Sequence, residues 1–595
     1  MTNSEPSAIP QPATFPTSAD SDFDFVVIGS GFAGSLIATI LQTQGRRVAI
    51  VDRSRHPRFA IGESSTPAAS LILSSLADRY DLAWLKPFAK YGTWKATYPE
   101  ITTGHKRGFS YFHHEPGKPF QPRPDHSNEL LAAASSSDEV SDTQWLRSDV
   151  DAFFFKKACE SGAAPFENSE ITTLRRSQSS WHLEINETSR QQSSHPRTLS
   201  AGFLIDASGA GQVLERHLDI EDQSDQLATN SRAIFAHVTG LPEWHDILEQ
   251  ATPGSTTDHP FQCDHAAQHH VLEEGWMWWL RFDSDVTSVG LVLDDRANDC
   301  FAETAQSLED IYKARIPGGW GRASASPQWG VDTGGPLKLD PSHSSTPGHS
   351  HWPSEFFRII NRYPSLSHAI SRATLVVPSD QPIETRHLQR LAGQIAGNDW
   401  AMLPHTAGFI DPLHSTGIAH TLAGVERLAA ILLARKPAAN TAAPDPMLQL
   451  YASTIREELT LIDQLVAGCY DAIAERSFRK LAAFTMCYFA AATTWERRRL
   501  NNESSPAPEI ARRLAQHRPA LLCASEPDFR TAVFNLRGQL PHETDESFET
   551  LCKESLAPFN HVGLFEPPIP NMYGATSLPE RLEHPTPNNE HSTSK

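Results

Sequence analysis

The chain has no excess of positive charge, no paired cysteines and no long apolar run, and each absence removes a class of function. Its 595 residues include 51 Lys or Arg against 71 Asp or Glu, a net charge of −20 spread along the sequence. That sign repels phosphate backbones and anionic membranes, so nucleic acid is not an expected partner. Seven cysteines lie far apart, at positions 159, 263, 300, 469, 487, 523 and 552, with no C-x-x-C among them. The pattern excludes a cysteine zinc site and a disulfide framework and suits a reducing compartment. The first twenty residues, rich in Ser, Pro and Thr, lack the basic start and apolar centre of a secretory signal. No stretch reads as a spanning helix, because the most apolar, Leu481 to Thr494, carries Thr and Cys and runs into Glu496 and Arg497 to Arg499. A cytoplasmic protein without a membrane span is expected. No metal is expected either: in His113-His114 and His269-His270 the neighbours on a strand point to opposite faces and cannot chelate as a unit.

What is present begins at residue 23. An apolar run, Phe23 to Ile28, enters Gly29-Ser30-Gly31-Phe32-Ala33-Gly34, a G-x-G-x-x-G turn. An amphipathic stretch follows to Gln44 and is ended by Gly45, and a second apolar run, Val48 to Val51, leads to Asp52, 23 residues past Gly29. Strand, glycine turn, helix, strand and acid make the βαβ unit that binds a dinucleotide. Gly29 permits the tight turn, Gly31 lets the backbone approach a pyrophosphate, and Gly34 lets helix and strand pack closely. The helix N-terminus offers unpaired N–H groups along Ser30, Phe32 and Ala33. Asp52, with Arg53 beside it, is placed to meet the ribose.

Length alone calls for two or three domains. Residues 1–21 and 576–595 read as disordered tails. Residues 22–440 read as a cofactor-binding domain with an interleaved sheet domain at about 85–145 and 225–390, and 445–560 as a helical C-terminal region. Within this frame the spacing predicts helices at 66–80, 148–161 and 417–433. Strands are predicted at 92–98, 106–113, 170–175, 180–187, 203–206 and 400–404. A loop or short helix is expected at 129–142, a long loop at 316–352, a linker at 436–446, and an antiparallel pair at 271–282 and 287–293.

Two later segments separate FAD from NAD. Phe203-Leu204-Ile205-Asp206 is a strand that ends in Asp206-x-Ser208-Gly209. Trp400 to Pro404 is another, followed by Gly408-Phe409-Ile410-Asp411-Pro412-Leu413-His414-Ser415-Thr416-Gly417-Ile418. The chain returns twice to one nucleotide fold, which suits a long cofactor with a ribityl chain and an isoalloxazine. Asp411 can accept from ribityl hydroxyls, and the helix from Gly417 can aim N–H groups at the flavin.

These segments, with Ile61-Gly62-Glu63-Ser64 and Trp145-x-Arg147, resemble the flavin-dependent halogenases, which share the group-A flavin monooxygenase fold with p-hydroxybenzoate hydroxylase. The resemblance covers about 22–435. It implies an α/β protein with a Rossmann-like FAD-binding domain, an interleaved antiparallel β-sheet substrate domain and a helical C-terminal region. It places Gly29, Gly31, Gly34 and Asp52 on the ADP half, Ser64 and Arg147 near the cofactor, and Asp206 and Gly209 at the second return. Gly408, Asp411, Pro412, Thr416, Gly417 and Ile418 lie along ribityl and flavin. Enzymes of this kind use reduced FAD and oxygen to oxidise halide and pass hypohalous acid to a lysine beside the substrate.

An FAD-dependent oxidoreductase acting on a small aromatic or unsaturated molecule is therefore expected, with chloride or bromide and a separate flavin reductase as partners. The W-x-W-x-I-P stretch of the halogenases is matched by Trp276-Met277-Trp278-Trp279-Leu280-Arg281, without its Ile-Pro. Alignment of 91–99 as a strand makes Lys95 the candidate catalytic residue, with Lys90 and Lys106 as alternatives. His414 stands where tryptophan halogenases carry a glutamate, which speaks against free tryptophan as substrate. Reduction of prenyl-type double bonds and non-catalytic flavin binding stay open as alternatives on the same fold.

Overall fold

The computed structural model describes residues 21–177, 180–187, 197–296, 352–377, 381–435, 444–503 and 520–576. The expected tails at 1–21 and 576–595 apart from Ser21 and Thr576, the loop expected at 316–352 apart from Trp352, and most of the linker at 436–446 lie outside these residues.

Strand β1 (Phe23–Ile28) is nearly all apolar because it lies at the centre of a sheet covered on both faces. Helix α1 (Phe32–Thr43) returns the chain to β2 (Val48–Val51), and α2 spans Pro67–Tyr80. The segment predicted as a strand at 92–98 is instead helix α3 (Tyr91–Thr97). Trp94 is its single buried side chain, against Phe88 and Trp145, so the sequence carries no period to reveal the turn. The strand expected at 106–113 divides at Arg107. β3 (Thr103–Lys106) pairs with β6 (Asp142–Trp145) in a sheet of two, whereas β4 (Gly108–His113) joins a larger one. Beside β4 lies β5 (Glu129–Ala133), where a loop or short helix was expected; its Leu and Ala residues lack a strand signal, yet burial on both faces makes the strand.

Helix α4 (Arg147–Glu160) leads to β7 (Ala164–Phe166), β8 (Ser169–Arg176), β9 (Trp181–Glu187) and β10 (Arg197–Asp206). After α5 (Val213–His217) come β11 (Ser231–Thr239), α6 (Trp244–Ala251), β12 (Ala267–Leu272), β13 (Gly275–Arg281) and β14 (Val286–Asp294). Of the strand expected at 271–282, only the β13 portion pairs with β14, because the chain folds back at 273–274 and β12 pairs with β13. Helices α7 (Ser354–Ile360) and α8 (Pro364–Ile370) precede β15 (Thr374–Val377), β16 (Ile383–Glu384), β17 (Arg390–Leu391) and β18 (Trp400–Met402). Then come α9 (Pro404–Ala407), β19 (Gly408–Phe409) and α10 (Gly417–Ala434). The chain closes with α11 (Pro446–Ala474), α12 (Phe478–Glu503), α13 (Pro527–Gln539), α14 (Asp545–Leu556) and β20 (Met572–Tyr573).

The strands form two principal sheets. One is seven-stranded in the order β7-β2-β1-β10-β9-β8, with β18 beside β10; the other is nine-stranded in the order β15-β11-β14-β13-β12-β4-β5-β20, with β16 beside β11. The second is mostly antiparallel, with parallel pairs at β4–β12 and β5–β20. Trp276 and Trp278 face the large core that runs from β1 to the C-terminal helices, and Trp279 faces a second core on the other side. Helix α10 corrects the expectation of no spanning-length helix: it is long and apolar enough by length and composition, but 72% of it is buried inside the protein.

In the first sheet, β1, β2, β10 and β18 are parallel and in register at their C-terminal ends: Ile28 pairs with Val51 and with Asp206, and Asp206 with Met402. The residues after these ends share one edge, where open α/β sheets bind ligands.

Candidate functional site

The three glycines of the first turn do different work. Gly29 has φ +102°, and a Cβ there would lie 2.5 Å from the carbonyl oxygen of Ala207, at the end of β10. A Cβ on Gly34 would meet the Gly29 oxygen at 2.0 Å, so this glycine seats α1 against the turn. On Gly31 the nearest atom to a Cβ is Asp151 Oδ2 at 3.6 Å, with Arg147 and Arg58 just beyond. Gly31 therefore satisfies no internal packing demand and leaves room for a ligand, rimmed by the Asp151 carboxylate and two guanidinium groups. It is also the N-cap of α1, with no side-chain cap and no acid in the first turn, an arrangement that suits phosphate. The Phe32 amide is taken by Asp151 at 3.1 Å. Ser30 faces β2, and Ala33 is buried within α1.

Asp52 follows β2 and accepts from the Ser30 amide at 2.8 Å, the Ser30 hydroxyl at 2.7 Å and the Ser54 amide at 2.8 Å. Burial alone would raise its carboxyl pKa, but Arg58 and these hydrogen bonds hold it below the ordinary carboxylate range. It stays an anion that locks turn to strand. Arg53 is exposed beyond it, whereas Arg58, which sequence reading did not single out, lies 3.3 Å from the carboxylate. Arg147 donates to both oxygens of Asp151, at 2.9 and 3.0 Å, and to the carbonyls of Ile61 and Gly62, at 2.8 and 3.0 Å. It thereby joins the 61–64 turn to the N-terminus of α1. Ser64 is buried, and its hydroxyl has no partner among the described residues. Glu63 is bonded to His237 at 2.6 Å, a structural contact.

The three distant segments do meet. Ala207 donates to the Ile28 carbonyl at 2.8 Å, Leu403 to the Asp206 carbonyl at 2.8 Å, and Gly209 to the Thr406 hydroxyl at 2.9 Å. Asp206 itself, expected near the cofactor, is fully buried and accepts from the amides of Ser208 and Leu214, so it shapes the turn rather than facing a ligand. Gly408 is likewise a packing residue: a Cβ there would lie 2.4 Å from Leu459. Asp411, expected at ribityl hydroxyls, uses both oxygens internally. One accepts from the Leu413 amide at 3.0 Å, the other from Ser231 at 2.7 Å and Tyr470 at 2.9 Å, and burial pushes its pKa up to about 6. After Pro412 the turn is tightened by Ser415 at φ 52°, and α10 begins at Gly417, capped by Thr416 without a side-chain bond. Gly417 is exposed, nothing lies within 4 Å of a Cβ built on it, and Ile418 is buried behind it. A second helix N-terminus thus opens beside the same edge.

Lys95 does not stand where a strand would have put it. On α3 it is one-third exposed and paired with Asp283 at 2.8 Å. The candidate lysine that is buried is Lys106, 1% exposed, whose ammonium donates to the Ser65 carbonyl at 2.9 Å and lies 3.9 Å from the centre of the Phe109 ring. Burial pushes its pKa down to about 7, against the opposing pull of Asp142. Around it stand aromatic groups from the nine-stranded sheet and from α12. Phe109 packs against Tyr488 and Phe489, and Tyr111 stacks on His269 at 4.4 Å. The His269 ring reaches the Leu413 carbonyl at 3.0 Å, tying this wall to the turn before α10. His414 is stacked on Tyr488 at 4.7 Å with Nε2 3.7 Å from Cys469 Sγ, and burial lowers its pKa to about 4, so it is neutral near pH 7. The hydroxyl of Tyr111 and the amide of Gln144 are buried without partners among the described residues. A cavity of about 290 Å³ between His113, Glu273, Arg476 and Phe478 includes none of these groups.

Residues 27–101 match the family described as NAD(P)-binding Rossmann-like domain. Over 421 residues the chain is 24% identical to the tetracycline 7-halogenase of Kitasatospora aureofaciens, covering 70% of this chain and 64% of that protein. It is 25% identical to the monodechloroaminopyrrolnitrin halogenase PrnC of Pseudomonas fluorescens, covering 69% and 61%. The chain is thus similar to halogenases, and further matches of 21–25% identity are named as flavin-dependent halogenases of Armillaria mellea. It spans less than two thirds of the length of the first two relatives. Its fold is that of the halogenase PltM, solved with phloroglucinol and FAD, at TM-score 0.69 and 21% identity over 90% of this chain and 96% of that one. The flavin-dependent brominase Bmp2 superposes at TM-score 0.51 and 15% identity over 88% and 100%.

The sequence singled out the glycine turn, Arg147 and the turn at 408–418; among the lysines it put Lys95 first, whereas the buried one is Lys106. The signal for Lys106 was its place two residues before Gly108 and the alternating Phe109, Tyr111 pair, which put aromatic groups on one strand face.

Proposed function

We propose that the protein is an FAD-dependent oxidoreductase of the halogenase-like monooxygenase group, which oxidises chloride or bromide and halogenates a small aromatic substrate. The observation that carries this reading is the meeting of the loops after β1, β10 and β18 at one edge, beside an aromatic wall that holds one buried lysine. Gly31 and the N-terminus of α1 fit the pyrophosphate, and Arg147 and Arg58 supply its counter-charge. The start of α10 at Gly417 fits the electron-rich edge of the flavin and a halide next to it. FAD, when reduced and supplied with oxygen, provides the oxidising power that converts halide into hypohalous acid. Lys106 holds that acid by hydrogen bonding and directs it to the substrate, in the role expected of Lys95. Phe109, Tyr111, Tyr488 and Phe489 exclude water and favour a flat ring. Electrons come from a separate flavin reductase, since the chain carries a single dinucleotide turn.

The test supplies reduced FAD, oxygen and bromide with phloroglucinol as probe and measures brominated product by mass spectrometry. Bromide-dependent product is expected from the wild type and none from Lys106→Met. Oxygen consumption without bromide-dependent product or free hypobromite from the wild type contradicts halogenation.

A further inference from the structure

We propose that His126, Glu129 and His259 form a binding site for one divalent transition-metal ion, with zinc as the best match. Glu129 opens β5 and is fully buried; His126 precedes it by three residues in the loop from β4, and His259 comes from the segment after α6. The two imidazoles are 6% and 2% exposed. One Glu129 oxygen lies 2.5 Å from His126 Nδ1, and the other lies 3.4 Å from His259 Nε2. One donor atom from each of the three residues falls within 4.8 Å of the others.

Two further observations point to a ligand. Oε2 of Glu129 and both ring nitrogens of His259 are buried without a hydrogen-bond partner among the described residues. Unpaired polar atoms this deep are costly, and two of them, Glu129 Oε2 and His259 Nε2, face each other at 3.4 Å, which calls for an ion between them. No lysine or arginine among the described residues pairs with Glu129, whose side chain meets the two imidazoles. Donors around tetrahedral zinc, with Zn–N and Zn–O bonds of about 2.0–2.2 Å, stand about 3.4 Å apart, close to the spacing of Glu129 and His259. His126 Nδ1 is hydrogen-bonded to Glu129 Oε1 at 2.5 Å and gives up that bond to ligate, while Asp258 lies 3.5 Å from His126 Nε2 on the outer side. The donor set is imidazole and carboxylate, which suits zinc and cobalt better than calcium or magnesium. A second group, His105, Asp138 and His265, has the same donor chemistry, two imidazoles and a carboxylate, but Arg107 already holds Asp138 at 2.8 Å.

None of the three residues belongs to the cofactor edge or the wall around Lys106. The metal would pin the segments at 114–128 and 252–266 onto β5, whose other neighbour is the C-terminal strand β20. Its consequence is stability of the sheet edge rather than chemistry.

The experiment strips the full-length protein with chelator and titrates it with cobalt(II), following the visible absorption of tetrahedral cobalt, then displaces it with zinc. One equivalent of cobalt, lost on zinc addition and accompanied by a rise in Tm, is expected for the wild type and for His105→Ala. His259→Ala and Glu129→Gln are expected to lose that equivalent. Absence of cobalt absorption and of stabilisation in the wild type overturns the proposal and leaves a proton-sharing His-Glu-His cluster. Undiminished binding by His259→Ala overturns the assignment to these residues. If Glu129→Gln does not fold, the wild-type titration still decides whether the ion binds.

Discussion

At the residue scale the second and third glycines of the turn answer to different demands. A methyl on Gly34 collides with the turn itself, whereas one on Gly31 enters open space. Gly34→Ala is expected to unfold the first βαβ unit, read as loss of the cooperative thermal transition. Gly31→Ala is expected to keep the wild-type Tm without flavin and to weaken FAD binding tenfold or more, about 1.4 kcal/mol, in a fluorescence titration. Lys106 gives a second residue-level expectation. Its pKa falls from 10.5 in the open chain to about 7 when folded, so the folded state disfavours the proton. The penalty on folding is full below pH 7 and fades as pH rises towards 10.5. Lys106→Met should therefore be more stable than the wild type below pH 7 in urea unfolding, with the gap narrowing between pH 7 and 10. A constant gap across that range contradicts a buried, titrating amine. Asp411 has the opposite sign: its pKa is raised from 3.8 to about 6. The wild type should hold its largest stability advantage over Asp411→Asn below pH 4 and lose it as pH rises through 6.

At the element scale, packing around the tryptophan strand is tight. A Cβ on Gly290 of β14 would lie 2.1 Å from the Trp278 ring of β13, so Gly290→Ala should cost about 1–3 kcal/mol of overpacking, measurable as a lower urea midpoint. The elements legible in the sequence were those with a period or a signature. β1, α1 and β2 announce themselves by apolar runs around a glycine turn, and α4 by helical spacing of Val150, Phe153 and Phe154. Those that were missed carry their reason in the contacts. α3 buries only Trp94, and β5 is made of Leu and Ala whose strand state comes from neighbours on both sides. Lys106 was obscured because β3 and β4 abut with one residue between them, so two sheets read as one strand. With 92–98 helical rather than extended, the geometric ground for Lys95 is gone as well.

At the scale of the whole molecule, the sequence exposed the interleaving of one nucleotide fold with one sheet domain, because motifs rather than propensities marked each return. It could not expose how the returning acids are used. Asp206 and Asp411 look like cofactor ligands in isolation, yet each is consumed by partners of the protein itself: the Ser208 and Leu214 amides on one, Ser231 and Tyr470 on the other. What they position is the edge shared by β1, β10 and β18. The most direct test of that shared edge is hydrogen–deuterium exchange of the full-length chain with and without FAD. FAD should slow exchange together at 29–34, 206–209 and 404–418. Protection confined to 29–34, or none despite bound flavin, would contradict the account.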